Sequence, residues 1–346
     1  MISRILRHIP SAVYAGGYQN IRTMSSQFRV LITRSDMPVG GVELLKKECI
    51  VKMHNKGAPM LRAELLNAVK GMDGIFCSLS DKIDSELMDA AGSQLKVVST
   101  ISVGYDHIDV NECRKRKIRI GYTPDVLTDA TAELTLALLL ATSRRLPEAI
   151  HEAKTGGWVS WAPTWMTGPG LAGATVGIVG FGRIGLAVAQ RVKSFNTARI
   201  LYTSRNSKPE GDKIGAKKVE FDQLLKESDF IICCSALTPE TSKIFNKEAF
   251  SKMKKKAIFV NTSRGGTVDQ DALIEALQNG IIRAAGLDVT SPEPLPLDSP
   301  LFKMNNCVIL PHIGSATIEA RNVMSELTAQ NILAALKDEK MPAELS

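Results

Sequence analysis

From Phe28 onward, short apolar runs rich in β-branched residues alternate with stretches in which apolar residues recur at helical spacing. The strand-like runs fall at 29–33, 74–79, 96–101 and 118–122, and then at 175–179, 200–203, 230–234, 257–261, 284–289 and 308–310. Between the two sets a long helical pattern covers about 127–151. Strand and helix alternating over this length predict parallel sheets covered by helices, an α/β fold. No internal repeat and no low-complexity segment interrupts the alternation. The stretch 156–173 does interrupt it. It holds Trp158, Trp161 and Trp165, all three tryptophans of the chain, with Pro163 and Pro169, and is expected to be a loop. Its aromatic side chains suit either an interface or a cover for the domain's own core.

The chain has 346 residues, which suggests about two domains. Its 44% apolar and 23% charged residues are ordinary for a globular protein with buried cores. The longest apolar run, 134–141, is too short for a membrane span, so no membrane partner is expected. The net charge of +7 is uneven: Arg4, Arg7, Arg22 and Arg29 supply four of the seven, with no acid before residue 30. With 5% aromatic residues and no basic stripe elsewhere, nucleic-acid binding is not expected. Six cysteines without CxxC spacing read as reduced thiols, with no metal site. Residues 1–27 are arginine-rich, free of acids and amphipathic, with Ile2, Ile5, Leu6, Ile9 and Val13 near one helical face. This is the pattern of a mitochondrial presequence, against the plainer alternative of a chance basic extension. Met24 as an alternative start would leave a cytosolic form, so the expected location is the mitochondrial matrix or the cytoplasm.

The segment 174–185 ends in Gly180-x-Gly182-x-x-Gly185, preceded by a buried-strand pattern and followed by the helical apolar spacing of Leu186, Val188, Ala189 and Val192. In that context the glycines form a dinucleotide-binding fingerprint. Gly180 allows the tight turn, Gly182 lets the backbone approach a pyrophosphate, and Gly185 lets helix and strand pack closely. The helix start offers free N–H groups to phosphate. About 20 residues on, an NAD-binding chain carries a carboxylate for the ribose. Here the sequence reads Tyr202-Thr-Ser-Arg205-Asn-Ser-Lys208, with no acid before Glu210. A guanidinium suits a 2′-phosphate, so NADPH is expected over NADH.

Three further motifs end strand patterns: Asn261-Thr-Ser-Arg264, Gly286-Leu-Asp288 with Glu293 in the proline-rich turn that follows, and Leu310-Pro-His312-Ile-Gly-Ser315. Reducing a keto acid needs a cation to hold the carboxylate and polarise the carbonyl, and an acid to protonate the oxygen. Arg264 and His312 supply these. Glu293 is the carboxylate that can orient the imidazole and favour its protonated form. Of the five histidines, His107 lies in Gly104-Tyr-Asp-His-Ile-Asp109, which reads as a helix start rather than a catalytic element.

Taken in order, GFGRIG, NTSRGG, GLDVTSPEP and LPHIGSAT resemble the D-isomer-specific 2-hydroxyacid dehydrogenase family, and the resemblance covers nearly the whole chain from residue 28. The segments 102–109, 121–128, 144–149, 156–158 and 290–296 are similar to an animal branch of that family, which reduces glyoxylate to glycolate and hydroxypyruvate to D-glycerate. The resemblance implies a Rossmann-type cofactor domain, 126–310, inserted into a flavodoxin-like substrate domain built from 28–125 and 311–346. It also implies a homodimer using NADPH, with NADH weaker. Position by position, it makes Arg264 a substrate ligand, His312 the general acid and Glu293 its partner. Val103 and Gly104 receive the substrate carboxylate, with Ser315 nearby. Gly182, Arg183 and Ile184 lie on the pyrophosphate. Asp288 falls on the nicotinamide side, and Ser235, Thr262 and Gly314 join Gly180, Gly185, Arg205 and Lys208 around the cofactor. Trp161 becomes a wall of the partner's active site. The chain departs from the family in its extension over 1–27 and in the residues between Arg205 and Lys208. Two other functions fit the same fold: an NAD-linked member such as phosphoglycerate dehydrogenase, which the missing acid after Tyr202 opposes, and a corepressor-type binding protein, which the NADP-type loop opposes.

Overall fold

The computed structural model describes residues 27–345, so the presequence pattern falls outside the described residues apart from Gln27. Its first sheet contains β1 (Arg29–Ile32), β2 (Ile50–Met53), β3 (Gly74–Cys77), β4 (Val97–Thr100) and β5 (Arg119–Gly121). Helices α1 (Val39–Glu48), α2 (Arg62–Ala68), α3 (Ser85–Ala91) and α4 (Val110–Lys115) connect them. All pairings are parallel, in the order β2-β1-β3-β4-β5, which is the flavodoxin-like order. β3 and β4 are buried along their whole length, as central parallel strands must be.

Two helices, α5 (Thr128–Ser143) and α6 (Leu146–Thr155), precede the second sheet. That sheet contains β6 (Thr175–Val179), β7 (Arg199–Thr203), β8 (Ala216–Lys218), β9 (Phe230–Cys233), β10 (Ile258–Asn261), β11 (Ala284–Leu287) and β12 (Cys307–Ile309). Its helices are α7 (Arg183–Lys193), α8 (Pro209–Lys213), α9 (Phe221–Glu227), α10 (Lys247–Lys252) and α11 (Gln270–Gln278). The parallel order β12-β11-β10-β9-β6-β7-β8 reverses direction between β6 and β9, the switch point where doubly wound sheets bind ligands. α5 lies on β10, β11, β12 and α7.

The last helix, α12 (Ile318–Leu336), returns to the first sheet and packs on α1, β3, β4 and β5. The tail follows it: Leu345 N–H donates to Ile120 O at 2.9 Å, and Arg119 pairs with Glu344 at 2.7 Å. The protein is thus an α/β fold of two domains, one built around a segment inserted into the other. Each sheet has an apolar cluster on either face. Around the second sheet, Phe245, Phe250 and Phe259 lie on one side, and Val176, Ile178, Tyr202 and Phe230 on the other.

The helix expected over 127–151 is two helices. Pro147 sits in the first turn of α6, and Arg145 just before that helix adopts a left-handed φ of 53°. A proline there would leave the carbonyl one turn earlier without its partner and crowd it, so the chain breaks and restarts. β2, in which Lys52 interrupts Ile50, Val51 and Met53, and β8, in which two lysines follow Ala216, were not expected. Both are edge strands, and their lysines face solvent. The tryptophan stretch is a loop as expected, with Trp158 63% and Trp161 82% exposed. Among the described residues no helix is long and apolar enough to cross a membrane.

Candidate active site

The carboxyl end of β6 delivers the glycine turn to the switch point. Gly180 has φ +91°, and a Cβ on it would lie 2.5 Å from Ser235 N, so the loops after β6 and β9 meet there. A Cβ on Gly185 would meet Gly180 O at 2.2 Å, which keeps α7 tight against the strand. At Gly182, by contrast, a Cβ would meet nothing within 4 Å. Gly182 is the N-cap of α7, whose first turn holds no acid. An open face, a bare backbone and unpaired first-turn N–H groups over Arg183, Ile184 and Gly185 fit a dinucleotide pyrophosphate. Arg183 pairs with Asp125, in the connection between the two sheets.

Beyond β7, the loop 203–208 is anchored by Tyr202. Its ring is fully buried and stacks on Phe181 of the glycine turn at 3.9 Å. Its hydroxyl accepts a hydrogen bond from Lys208 N–H at 3.1 Å. Arg205 is exposed on the same loop, and its carbonyl accepts from Lys218 Nζ at 3.3 Å. Deeper in the cleft, the Thr262 and Thr135 hydroxyls pair at 2.8 Å, tying the end of β10 to α5.

Arg264, Asp288 and His312 follow the adjacent strands β10, β11 and β12, so one sheet edge presents all three. The turn after Arg264 abuts the turn after Asp288 so closely that a Cβ on Gly265 would lie 1.9 Å from Thr290 O. Arg264 reaches across to the first domain. Its Nε donates to Asp106 Oδ1 at 2.9 Å, and a Cβ on Gly104 would lie 1.7 Å from its Nη2. A side chain at residue 104 would displace the guanidinium from that backbone. Burial works against the charge on Asp106, but the Arg264 cation and its hydrogen bond outweigh it and hold the carboxyl below its usual range. The segment 104–109 leads into a helix as expected: Asp109 caps α4, accepting from Glu112 N–H at 2.9 Å. Both His107 ring nitrogens are buried without a partner. Burial lowers its pKa to about 4, with Asp106 opposing and Arg264 assisting.

His312 Nδ1 lies 2.5 Å from Glu293 Oε1, while Glu293 Oε2 accepts from Thr290 N–H at 3.3 Å. His312 itself has a left-handed φ of 53°, a conformation costing roughly 1–3 kcal/mol for a side-chain-bearing residue. Asp288 holds it there. Its carbonyl accepts His312 N–H at 2.9 Å, and its carboxylate accepts Ile313 N–H and Gly314 N–H at 2.8 Å each. Burial raises the Asp288 pKa despite these bonds and the nearby imidazole. The structure therefore turns Asp288 onto the backbone of the histidine loop, with Gly314 against it and Ser315 just beyond. Neither Asp106 nor Asp125 was singled out in the sequence, although Asp106 lies in the same segment as Val103 and Gly104.

The fold and the make-up of this cleft are those of a nucleotide-dependent dehydrogenase. Residues 136–314 match the family model described as D-isomer specific 2-hydroxyacid dehydrogenase, NAD binding domain. The chain is 53% identical over 319 residues to human glyoxylate reductase/hydroxypyruvate reductase, spanning 92% of this chain and 97% of that protein. A crystal structure of a Thermus thermophilus protein superposes with a TM-score of 0.86 at 44% identity, covering 92% of this chain and all of that one. The NADPH-dependent glyoxylate/hydroxypyruvate reductase of Sinorhizobium meliloti, solved with NADP and malonate, superposes with a TM-score of 0.80 at 32% identity, over 93% and 97% of the two chains. The chain belongs to the D-isomer specific 2-hydroxyacid dehydrogenases and is an oxidoreductase.

Proposed function

We propose that the chain reduces glyoxylate to glycolate and hydroxypyruvate to D-glycerate with NADPH, His312 acting as the general acid. The observation that carries this is the 2.5 Å pairing of His312 with Glu293, one strand away from an arginine that lies on the Gly104 backbone. Arg264 and the backbone at Val103 and Gly104 receive the substrate carboxylate. With Nδ1 engaged by Glu293, Nε2 of His312 is left to deliver a proton to the carbonyl oxygen as it gains negative charge. Glu293 holds the ring and balances its charge, and Asp288 fixes the backbone that carries it. NADPH, when bound over the glycine turn, supplies the hydride. Ser235, Thr262 and Gly314 line that side, and Arg205 and Lys208 offer cations to a 2′-phosphate. The human and Sinorhizobium relatives, named for these two substrates, support the assignment.

The breaks around Asp125 and after β12 support domain limits of 28–125 with 311–346 for the substrate side and 126–310 for the cofactor side. A homodimer is supported by exposed Leu146 and Ile150 on α6, which has no buried residue, beside exposed Trp158, Val159 and Trp161. In that dimer Trp161 walls the partner's cleft. The arginine-rich start of the sequence supports a matrix or cytoplasmic location. The test is an assay of both acids with NADPH and NADH, alongside light scattering. Turnover of neither acid rejects the activity, and a monomer rejects the dimer.

A further inference from the structure

Two lysines close the edge strand β8, and they face opposite ways. Lys217 is in register with Leu201, which belongs to the apolar cluster around α9, and its charge reaches Glu227 at the end of that helix. Lys218 is in register with Tyr202. Two positions after buried Ala216, it shares the face on which Ala216, Tyr202 and Phe181 of the glycine turn pack together. β7 and β8 run parallel and Lys218 is the last residue of β8, so it stands at the carboxyl edge, where the loop 203–208 leaves the sheet.

From there its ammonium turns onto that loop. Lys218 Nζ donates to Arg205 O at 3.3 Å and has no ion pair among the described residues. Other exposed lysines of this domain are committed to acids: Lys247 to Glu275 at 2.6 Å, and Lys252 to Asp222 and Glu248 at 2.8 and 2.6 Å. The loop itself holds no acid, and the next ones, Glu210 and Asp212, lie in the first turn of α8. The Arg205 charge reaches Glu240 in the loop after β9, without an ion pair between them. Arg205, Lys208 and Lys218 thus border one loop as three cations. Cations gathered in this way repel one another, and an anion placed among them relieves the repulsion.

An ammonium has three N–H donors, so one can stay on Arg205 O while the others turn to a phosphate. We infer that Lys218 is a third ligand of the NADPH 2′-phosphate, reaching it from the neighbouring strand while it steadies the backbone of Arg205. The inference rests on the proposed reading of NADPH by the loop after β7.

Calorimetric titration with 2′,5′-ADP and 5′-AMP, which carry and lack that phosphate and need no turnover, tests it, with NADPH/NADH ratios of kcat/KM alongside. Lys218→Met should weaken 2′,5′-ADP roughly tenfold relative to 5′-AMP, the worth of one charge-assisted hydrogen bond in an open site, and lower the NADPH/NADH ratio by a similar factor. Lys218→Gln keeps a donor for the Arg205 carbonyl without the charge, and should behave as the methionine variant does. Lys217→Met removes an equal charge from the same strand and should leave both ratios as in wild type. Wild-type ratios in either Lys218 variant, equal losses on the two nucleotides, or the same loss in Lys217→Met overturn the inference while leaving the activity intact. A wild type that binds the two nucleotides equally overturns the reading of the loop, and the inference with it.

Discussion

Arg264 and Asp106 are joined at 2.9 Å although they belong to different domains, so the arginine proposed as the substrate ligand is aligned from the opposite wall of the cleft. The pair orients the guanidinium and links the two sheets across the place where the reaction is proposed. Asp106→Asn keeps the shape and removes the charge. It should raise KM for glyoxylate about tenfold, the worth of one charge-assisted hydrogen bond, with a smaller change in kcat. Arg264→Lys should cost more, because a lysine cannot hold Asp106 and a carboxylate in one plane. Because the carboxyl is depressed in the folded protein, this contribution is present above its unfolded pKa. It is lost only as pH falls through the lower, folded value. Wild-type KM should therefore stay level down to the ordinary carboxylate range, and a rise beginning near neutrality would contradict the pairing.

His312→Ala should lower kcat by about 10²–10⁴, the usual share of a positioned general acid. Glu293→Gln should lower kcat with little change in KM, since Glu293 touches the imidazole rather than the substrate. Circular dichroism on both variants checks that the fold persists. Full activity in either would remove that residue from the mechanism.

Cofactor choice is predicted to lie in the loop after β7. Ser204→Asp introduces the ribose-reading carboxylate that the sequence lacks, and should shift the NADPH/NADH ratio of kcat/KM toward NADH by roughly tenfold or more. Arg205→Ala should weaken NADPH and leave NADH unchanged. Equal effects on the two cofactors would show that the loop does not read the 2′-phosphate.

His107 makes acid stability depend on a residue outside the chemistry. Its pKa is lowered to about 4 in the fold, whereas the unfolded chain protonates it near 6.5. Between those values the unfolded state binds the extra proton, so stability rises with pH through this window and falls on acidification. The full effect is on the order of 3 kcal/mol. Urea midpoints from pH 7 to pH 4 should decline in wild type and decline less in His107→Asn. Parallel curves would exclude His107 as the cause.

The central strands, the glycine turn and the three strand-end motifs were readable in the sequence because burial on both faces demands unbroken apolar runs and each motif closes one of them. β2 and β8 were hidden because edge strands need no such run. The helix break at Arg145 was marked by Pro147, but the surrounding leucines and alanines keep a helical rhythm on both sides. Arg264 and His312 could be named from their types and positions; Asp106 could not, since its partner lies 158 positions away and only the fold brings the two together. Asp288 was expected to face the cofactor, and nothing in one dimension reveals that its carboxylate caps the backbone at 313 and 314.

The return of α12 to the first sheet sets an order of assembly during synthesis. Once β12 has left the ribosome, every strand of the nucleotide sheet is available and that domain can close around its own core. The earlier-made strands β1 to β5 must meanwhile wait, with the apolar face that α12 will cover still open, until the last helix emerges. The half made first is thus finished second, and its apolar face is the one left open longest during synthesis.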